Sequence, residues 1–312
     1  MSVRRLRVAR LSLVTFALLG AACARTAFAP LEPRAFPFAV DSVRTELVRP
    51  GVAHRTIWSP AGPWVVHLLD VRLDRCYAAV AVKGGSSAIG RRTTSQLLRE
   101  LAQSREVVGG VNADFFLFTP PGVPTNAHVS KGHVLTPPNV KPVFAVDSAG
   151  RPSIGTFTLP GLDSLKVDDP RLASASLRPF HPMEAVGGRP VLVRDSVTTP
   201  DVDTEGQASF SKARHPRTIV GIAGRGRRLL LVVVDGRQPG YSAGMTLREE
   251  ATLMLALGAR DALNLDGGGS TALVYASPDP AGAFRVANKP SDPTGERAVG
   301  NALAIVSSCA RH

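Results

Sequence analysis

Three consecutive glycines stand between a carboxylate and two hydroxyls in the segment ALNLDGGGSTALV, residues 262–274. The carboxylate belongs to Asp266, and the hydroxyls belong to Ser270 and Thr271. A glycine loses more backbone freedom on folding than any other residue, so three in a row indicate that some group approaches the backbone closely. Bare backbone amides can donate to an anion or admit a sugar ring. We therefore expect a ligand site at Gly267, Gly268 and Gly269.

Further acids, amides and arginines border apolar, β-branched runs elsewhere in the chain. They are Asn112, Asp114, Arg217, Asp235, Arg237 and Asn264. Strand ends are favoured ligand positions in proteins built on sheets. The pattern Asn-x-Asp occurs at two such ends, at residues 112–114 and 264–266. Carboxylates in this set could serve acid–base chemistry, and arginines could hold an anion.

Three other chemistries fit the sequence less well. GYSAG resembles the nucleophile elbow of serine hydrolases, but Ser242 lies far past the end of its strand. The fold also requires a histidine later in the chain, and the only histidine after Ser242 is His312. The glycine loop lacks the Gly-Lys-Ser/Thr ending of a phosphate-binding P-loop. His128 and His133 lie in a predicted loop without cysteine or acid at ligand spacing. No metal and no cofactor are predicted, and a serine hydrolase using Ser242 stays as a lesser alternative.

The N-terminus has the features of a secretory signal. A basic stretch precedes a short apolar run and small residues, which predicts a signal peptide over residues 1–24. Cleavage after Ala24 and lipidation of Cys23 are both open, so we expect a secreted, periplasmic or envelope protein. Residues 25–50 are rich in proline and alanine and predict a linker. Residues 51–312 remain for one domain.

The formal charge of +12 comes mainly from arginines spread along the chain. No basic run interleaved with aromatics is present, so nucleic-acid binding is not predicted. A basic surface favours an anionic substrate instead.

Patterns after residue 50 predict a mixed, mostly antiparallel sheet with flanking helices. Strands are predicted at 64–73, 76–82, 106–116, 262–265, 271–276 and 300–308, with strand pairs at 143–157 and 217–237. Capping boxes predict helices at 93–103 and 246–258. The second helix connects two strands over a length that suits a parallel crossover. We therefore predict a single α+β domain, in which residues 160–215 are the least regular part.

Four segments resemble, in the same order, the motifs of the phosphodiester glycosidase family. They are GVNADFF, RTIVGIAG, VVVDGRQPGYSAGMTLREEATLMLALGARDALNLDGGGSTALV and ERAVGNALAIV. The resemblance runs from about Leu69 to Val306, and its most specific part is the Asp-Gly-Gly-Gly-Ser block. The family usually has Asn-Gly-Gly-Phe-Phe where this chain has Asn-Ala-Asp-Phe-Phe, so Asp114 departs from its pattern.

The resemblance implies a hydrolase that cleaves a sugar from a sugar-1-phosphodiester, of the N-acetylglucosamine-1-phosphodiester type, at the anomeric carbon. We interpret Asp266 as the central carboxylate, followed by Asp235 and Asp114. Arg217 and Arg237 are expected to hold phosphate. The residues expected to approach the ligand or orient sugar hydroxyls are Asn112, Asn264, Gly267, Gly268, Gly269, Ser270 and Thr271. Glu249 is interpreted as a helix cap, and Arg297 and Asn301 as structural members of the last motif.

A non-catalytic carbohydrate-binding protein of the cell envelope is the competing interpretation. Such modules often stack sugars on surface aromatics, whereas aromatic residues make up only 5% of this chain. The acids and arginines at the strand ends favour catalysis. The sugar, the aglycone, the stereochemical outcome and the oligomeric state stay open.

Cys76 and Cys309 are predicted to form a disulfide, because both remain after signal removal in an oxidising compartment. Two buried free thiols are the alternative. Mass spectrometry of peptides from the unreduced protein should recover a Cys76–Cys309 cross-link that disappears on reduction. Recovery of both cysteines as freely alkylated peptides would refute the disulfide.

Overall fold

A computed structural model of the protein describes residues 28–85, 87–158, 178–179, 181–278 and 283–308. In chain order its strands are β1 (Ser42–Arg49), β2 (Val52–Ser59), β3 (Trp64–Arg72), β4 (Tyr77–Val82), β5 (Val107–Asn112), β6 (His128–Ser130), β7 (His133–Thr136), β8 (Val143–Val146), β9 (Pro152–Gly155), β10 (Phe157–Thr158), β11 (Arg178–Pro179), β12 (Glu184–Gly187), β13 (Val191–Arg194), β14 (Val197–Thr198), β15 (Arg217–Ala223), β16 (Arg228–Val234), β17 (Ala259–Asn264), β18 (Leu273–Ala276), β19 (Phe284–Val286) and β20 (Ala302–Ser307). The helices are α1 (Thr94–Ala102), α2 (Asp201–Thr204), α3 (Ala208–Ser211) and α4 (Leu247–Ala256).

The large sheet has eight strands in the order β1-β2-β3-β16-β15-β17-β13-β14. Strand β16 shows why its central strands read as continuous apolar runs. Leu229, Leu231 and Val233 pack in one core cluster, and the intervening Leu230 and Val232 pack in another. Both faces of the sheet are therefore buried, and each such side chain contributes about 1.5–3 kcal/mol to folding.

Two five-stranded sheets lie against one face of the large sheet. The small sheet has the order β19-β18-β5-β20-β4, and the side sheet has the order β7-β6-β12-β8-β9. Val220 of the large sheet, Leu303 of the small sheet and Phe144 of the side sheet share one core cluster. Helix α1 covers the outer face of the small sheet through Leu97 and Leu98.

Helix α4 covers the opposite face of the large sheet. Thr246 and Glu249 form its capping box, which confirms the predicted cap, and Leu253 and Met254 enter the core. Strands β16 and β17 both pair antiparallel with β15, so they run parallel to each other. The parallel orientation predicted for these two strands is confirmed, although β15 lies between them.

The prediction of one mostly antiparallel domain is confirmed, but the fold is richer in strands and poorer in helices than an α+β class implies. Every strand pairing in the large sheet, the small sheet and the side sheet is antiparallel, and a two-residue parallel pairing joins β10 to β11. The proposed linker over residues 25–50 differs from the structure, because β1 occupies its last part and Phe36 is buried in the core. No helix within the described ranges is long and apolar enough to cross a membrane.

The signal peptide, Cys23 and Cys309 lie outside the described residues. The backbone N–H of Ser308 donates to the carbonyl of Cys76 at 2.8 Å. The last described residue therefore lies beside Cys76, and the disulfide stays a prediction.

Replacing Thr93 with alanine should lower the free energy of unfolding by about 1 kcal/mol, the usual contribution of such a cap. The Thr93 side chain accepts from the Gln96 N–H at 3.2 Å, and the Gln96 side chain accepts from the Thr93 N–H at 2.9 Å. Urea unfolding measures the change. The matched control is Thr252→Ala, whose hydroxyl bonds only to a carbonyl of its own helix. Equal destabilisation by both variants would contradict a specific role for the cap.

Candidate active site

The glycine run connects β17 of the large sheet to β18 of the small sheet. The N–H of Asp266 donates to the Ala113 carbonyl, next to the end of β5, at 2.8 Å. The N–H of Gly268 donates to the Pro216 carbonyl, just before β15, at 2.8 Å. The loop is thus held from both sheets where they meet.

Asn112, the last residue of β5, braces this loop from inside. Its Nδ2 donates to the Asp266 carbonyl oxygen at 2.6 Å. Its Oδ1 accepts from Thr218 Oγ1 at 2.8 Å and from the Ala272 N–H at 3.1 Å. Because the buried amide is engaged by the protein, these contacts favour a positioning role for Asn112 over the predicted contact with sugar hydroxyls.

The groups that approach the glycine backbone in this structure belong to the protein itself. A Cβ atom on Gly267 would lie 2.6 Å from the Pro216 carbonyl oxygen, and one on Gly269 would collide with the Arg297 guanidinium. Gly268 has a φ of 62°, a left-handed conformation that glycine adopts without steric cost. Each of the three positions therefore excludes a side chain for a separate reason.

A pocket of about 240 Å³ opens beside the loop. Its lining residues are Phe115, Ser209, Phe210, His215, Pro216, Arg217, Arg237, Asp266, Gly267, Gly268, Gly269 and Arg297. The rings of Phe115 and Phe210 meet edge to face, with centroids 6.0 Å apart. The pocket therefore combines an aromatic wall, several cations and one carboxylate.

Arg237 is held at the pocket by a histidine. Its Nη2 lies 3.2 Å from His215 Nδ1, and His215 Nε2 lies 2.7 Å from the Ser209 carbonyl oxygen. A carbonyl oxygen only accepts, so Nε2 carries the hydrogen and Nδ1 accepts from Arg237. Burial, with the nearby arginines, lowers the pKa of His215, which favours the neutral ring. Arg237 also has a φ of 57°, a strained conformation typical of functional sites.

Arg297 is oriented by a bidentate ion pair. Its Nε and Nη2 donate to the two carboxylate oxygens of Asp292 at 2.8 and 2.9 Å. Such paired bonds fix the plane of the guanidinium. Arg297 therefore lines the pocket as a rigid cation, beyond the structural role predicted for it.

Asp266 is the carboxylate of the pocket and is half-buried. Burial raises its pKa from an ordinary 3.8 to about 6, while the Ser270 hydroxyl, Arg297 and the Gly267 N–H oppose the rise. The group is therefore ionised near neutral pH and protonated in moderately acidic solution.

Asp114 is a second carboxyl group, fully buried beside the first. Its Oδ2 accepts from the Asn126 N–H at 2.8 Å, and its own N–H donates to Asn301 Oδ1 at 2.8 Å. Burial, with the charge of Asp266, raises the pKa of Asp114 to about 7 against the opposing Asn126 hydrogen bond. The structure thus brings two of the predicted carboxylates into electrostatic contact.

A sequence profile of the phosphodiester glycosidase family matches residues 105–306, more than half of the chain. The chain belongs to this family. The matched segment contains both carboxyl groups, the glycine loop and all three arginines that line the pocket. No curated protein matches the sequence.

Solved structures share the fold of this glycosidase-family chain at low identity. The catalytic domain of zebrafish N-acetylglucosamine-1-phosphodiester alpha-N-acetylglucosaminidase, auto-inhibited by a pro-peptide, is 17% identical with a TM-score of 0.56, over 92% of this chain and 86% of that one. A Burkholderia pseudomallei K96243 protein, provisionally described as exported, is 18% identical with a TM-score of 0.61, over 90% and 99%. A Synechocystis protein described as hypothetical is 15% identical with a TM-score of 0.62; the match covers 85% of this chain and 64% of that one.

Arg217 lies at the pocket of this family member but is almost fully buried. Its guanidinium donates to the Met245 carbonyl at 2.8 Å and the Phe210 carbonyl at 2.8 Å, and it pairs with Glu250 at 2.9 Å. These contacts favour a role in shaping the pocket over the predicted grip on phosphate.

Asp235 lies in a separate buried cluster and is not among the residues that line the pocket. It accepts from the Tyr241 hydroxyl at 3.1 Å, the Lys289 N–H at 3.0 Å and Asn288 Nδ2 at 3.2 Å. The same Asn288 nitrogen lies 3.2 Å from the Thr271 carbonyl oxygen. Asp235 therefore supports the end of the glycine loop from behind.

Two predicted ligand-orienting residues keep polar atoms that the protein leaves unpaired. Asn264 donates through Nδ2 to the Arg189 carbonyl at 2.6 Å, but its Oδ1 has no hydrogen-bond partner among the described residues. The buried hydroxyl of Thr271 likewise has none in that part of the chain. Buried polar atoms of this kind call for water or a ligand.

The alternative chemistries lack support in the site. The buried Ser242 hydroxyl donates to the Asp235 carbonyl at 2.6 Å and accepts from the Val65 N–H at 3.1 Å, so it holds backbone rather than acting as a nucleophile. His128 and His133 lie on β6 and β7, not in the predicted loop, and His128 is buried against Asn301. Within the described ranges, no group of three or more His, Cys, Asp or Glu side chains could hold a metal ion.

Sequence reasoning missed several residues of the pocket. His215 lies two residues before the RTIVGIAG segment, and Phe115 belongs to GVNADFF, so both could have been found from their motifs. Phe210 lines the pocket and Asp292 orients Arg297 from outside the lining. Both lie in stretches without periodicity, and no local pattern indicates them.

Asp114→Asn should weaken the pH dependence of stability. A pKa raised from 3.8 to about 7 means that the folded state binds the proton more tightly, so this group's stabilising contribution is complete below pH 4 and is lost as the pH rises to 7. Urea unfolding at pH 4 and pH 7 should show a smaller loss in the variant than in the parent protein. The control is Asp41→Asn, an exposed carboxyl that should leave the loss unchanged. An unchanged pH dependence in Asp114→Asn would contradict the raised pKa.

Proposed function

We propose that the protein hydrolyses the glycosyl–phosphate bond of a sugar-1-phosphodiester of the N-acetylglucosamine-1-phosphodiester type. The observation that carries the proposal is the placement of Asp266, one half-buried carboxylate in a small pocket beside Arg237 and Arg297. Membership of the phosphodiester glycosidase family supports the reaction class.

The charges of the pocket suit this bond cleavage. Breaking the bond from the anomeric carbon to oxygen leaves positive charge on the sugar and returns the electron pair to the phosphate. Arg237 and Arg297 would stabilise the departing phosphate through charge-assisted hydrogen bonds. A phosphate is a better leaving group than an alcohol, so the site depends less on a strong general acid than an ordinary glycosidase does.

Asp266 would stabilise the oxocarbenium-like carbon, attack it, or activate water. Its pKa of about 6 leaves it ionised at neutral pH while keeping it basic enough to accept a proton. Asp114 would tune this basicity through its charge, and Asp235 would act through the loop that it supports. In this proposal both are positioning residues.

The sugar side of the pocket follows from its remaining groups. A cavity of about 240 Å³ is smaller than the roughly 300–1,000 Å³ of sites for drug-sized ligands, which favours a single sugar with its phosphate. Phe115 and Phe210 would contact the apolar face of the ring. Asn264 and Thr271 are buried and do not line the pocket, so their unpaired oxygens would bond to water behind it rather than to the sugar.

We further propose that the enzyme acts outside the cytoplasm, released or anchored at Cys23. The secretory pattern of residues 1–24 supports this location. The exported description of the Burkholderia protein agrees with it.

Asp266→Asn should lower kcat on a methyl diester of N-acetylglucosamine-1-phosphate by roughly 10²-fold or more, because it keeps the shape but removes the charge needed in the transition state. Ligand affinity should stay nearly unchanged. Asp41→Asn, on the exposed surface, is the matched control and should keep full activity.

The pH profile provides an independent check of the same carboxylate. Because ionised Asp266 is required, kcat/KM of the parent protein should rise with pH through about 6. A parent protein that binds the diester without turnover would instead favour the carbohydrate-binding alternative. A variant that binds poorly yet keeps the parent kcat would remove Asp266 from the chemistry.

A further inference from the structure

A second cavity, of about 520 Å³, lies at the opposite end of the large sheet. Arg72 pairs with Arg228 at that end of β3 and β16, whereas Val66 pairs with Val234 at the end near the glycine loop. Six residues of strand separate the two ends, which is roughly 20 Å. The cavity is therefore distinct from the proposed active site.

Arg55 lines this cavity from β2 and is 2% exposed. Its Nη2 donates to the Ala29 carbonyl at 3.0 Å and lies 3.4 Å from Asp70 Oδ2. Its Nε and Nη1 have no hydrogen-bond partner among the described residues. A buried cation with two unpaired N–H groups is costly unless another group satisfies them.

Among the described residues, the only buried carboxylate that lines the cavity already has a stronger partner. Asp70 accepts from Arg228 Nε at 2.7 Å and from Arg228 Nη2 at 2.6 Å, a bidentate pair. One carboxylate therefore faces two guanidinium groups. Arg227 and Arg72 add positive charge at the rim, where Asp74 lies 3.6 Å from Arg72. The lining thus carries an excess of positive charge.

We infer that this cavity binds a phosphate-type anion through Arg55, Arg227 and Arg228. A phosphate oxygen can accept from the planar fork of a guanidinium in the way that a carboxylate does. The anion would accept from the two unpaired N–H groups of Arg55. It would also neutralise the positive charge of the guanidinium groups that Asp70 alone does not balance. The anion is either free phosphate or the phosphate of a lipid headgroup, and its binding is independent of the proposed hydrolysis.

The N-terminal segment closes this site on one side. The Phe28 ring lies over the Arg55 guanidinium, with 5.4 Å from Cζ to the ring centroid, and residues 28–31 line the cavity. Residues 28–31 therefore form one wall of the anion site.

The test measures binding of inorganic phosphate by calorimetry, at constant ionic strength, to the double variant Arg237→Gln/Arg297→Gln, a background that removes both arginines proposed to hold phosphate at the active site. In that background Arg227→Gln should weaken binding about tenfold, the worth of one charge-assisted hydrogen bond. Arg225→Gln is the matched control, since Arg225 is exposed on the same turn and does not line the cavity. Arg55→Gln should abolish binding. If that variant fails to fold, Arg227→Gln alone decides.

Vesicles distinguish the two sources of phosphate. A lipid headgroup is the ligand if the protein binds phosphatidylglycerol vesicles but not phosphatidylcholine vesicles. That binding should also be weakened by Arg227→Gln and displaced by inorganic phosphate. Binding of free phosphate alone assigns the site to the free anion. The inference is overturned if the Arg237→Gln/Arg297→Gln background binds neither probe. It is equally overturned if Arg225→Gln weakens binding as much as Arg227→Gln, since the effect would then be that of a general basic surface.

Discussion

The hydrogen bonds of one buried amide determine where the two main sheets meet. Asn112 ends β5 in the small sheet, its Oδ1 accepts from Thr218 in the large sheet, and its Nδ2 donates to the backbone of Asp266. A shorter or apolar side chain there would leave three buried polar groups unpaired, at about 1–3 kcal/mol each. The carboxylate of Asp266 faces the pocket only because this junction fixes the backbone behind it. Every contact proposed for the substrate depends on that arrangement.

Much of the fold could be predicted because its signals are local. Capping boxes at Thr93 and Thr246 mark the starts of the two long helices, and the apolar run of β16 marks a strand with both faces buried. The order of the strands could not be predicted, because pairings such as β3 with β16 join residues far apart in the chain. Sequence patterns do not indicate the strand at Ser42–Arg49 because its alternation is weak: it lies at the sheet edge, where half of its side chains are exposed.

The sequence was sufficient to predict which residues gather at the candidate site, but not which of them face the ligand and which hold the protein together. The sequence placed Asp266, Asn112 and Arg217 together, but it could not show that the last two use their polar groups on the protein itself. Burial and hydrogen bonding decide that, and neither is visible in a motif. Tertiary contacts also orient His215 and Arg297 toward the pocket, and for that reason no motif indicated their place there.

The bond from Asn112 to the Asp266 backbone spans 154 residues of sequence, which has a consequence for how the protein is made. Strand β5 pairs with β18 on one side and β20 on the other, and both strands are synthesised long after it. Contacts between residues so far apart in the sequence form slowly, because the intervening chain must close a long loop before any strand pairing stabilises it. Until then β5 exposes two open edges, which are templates for aggregation. The nascent chain therefore needs protection until its last strand is available, and loss of β20 would deprive β5 of a neighbour and the pocket of its support.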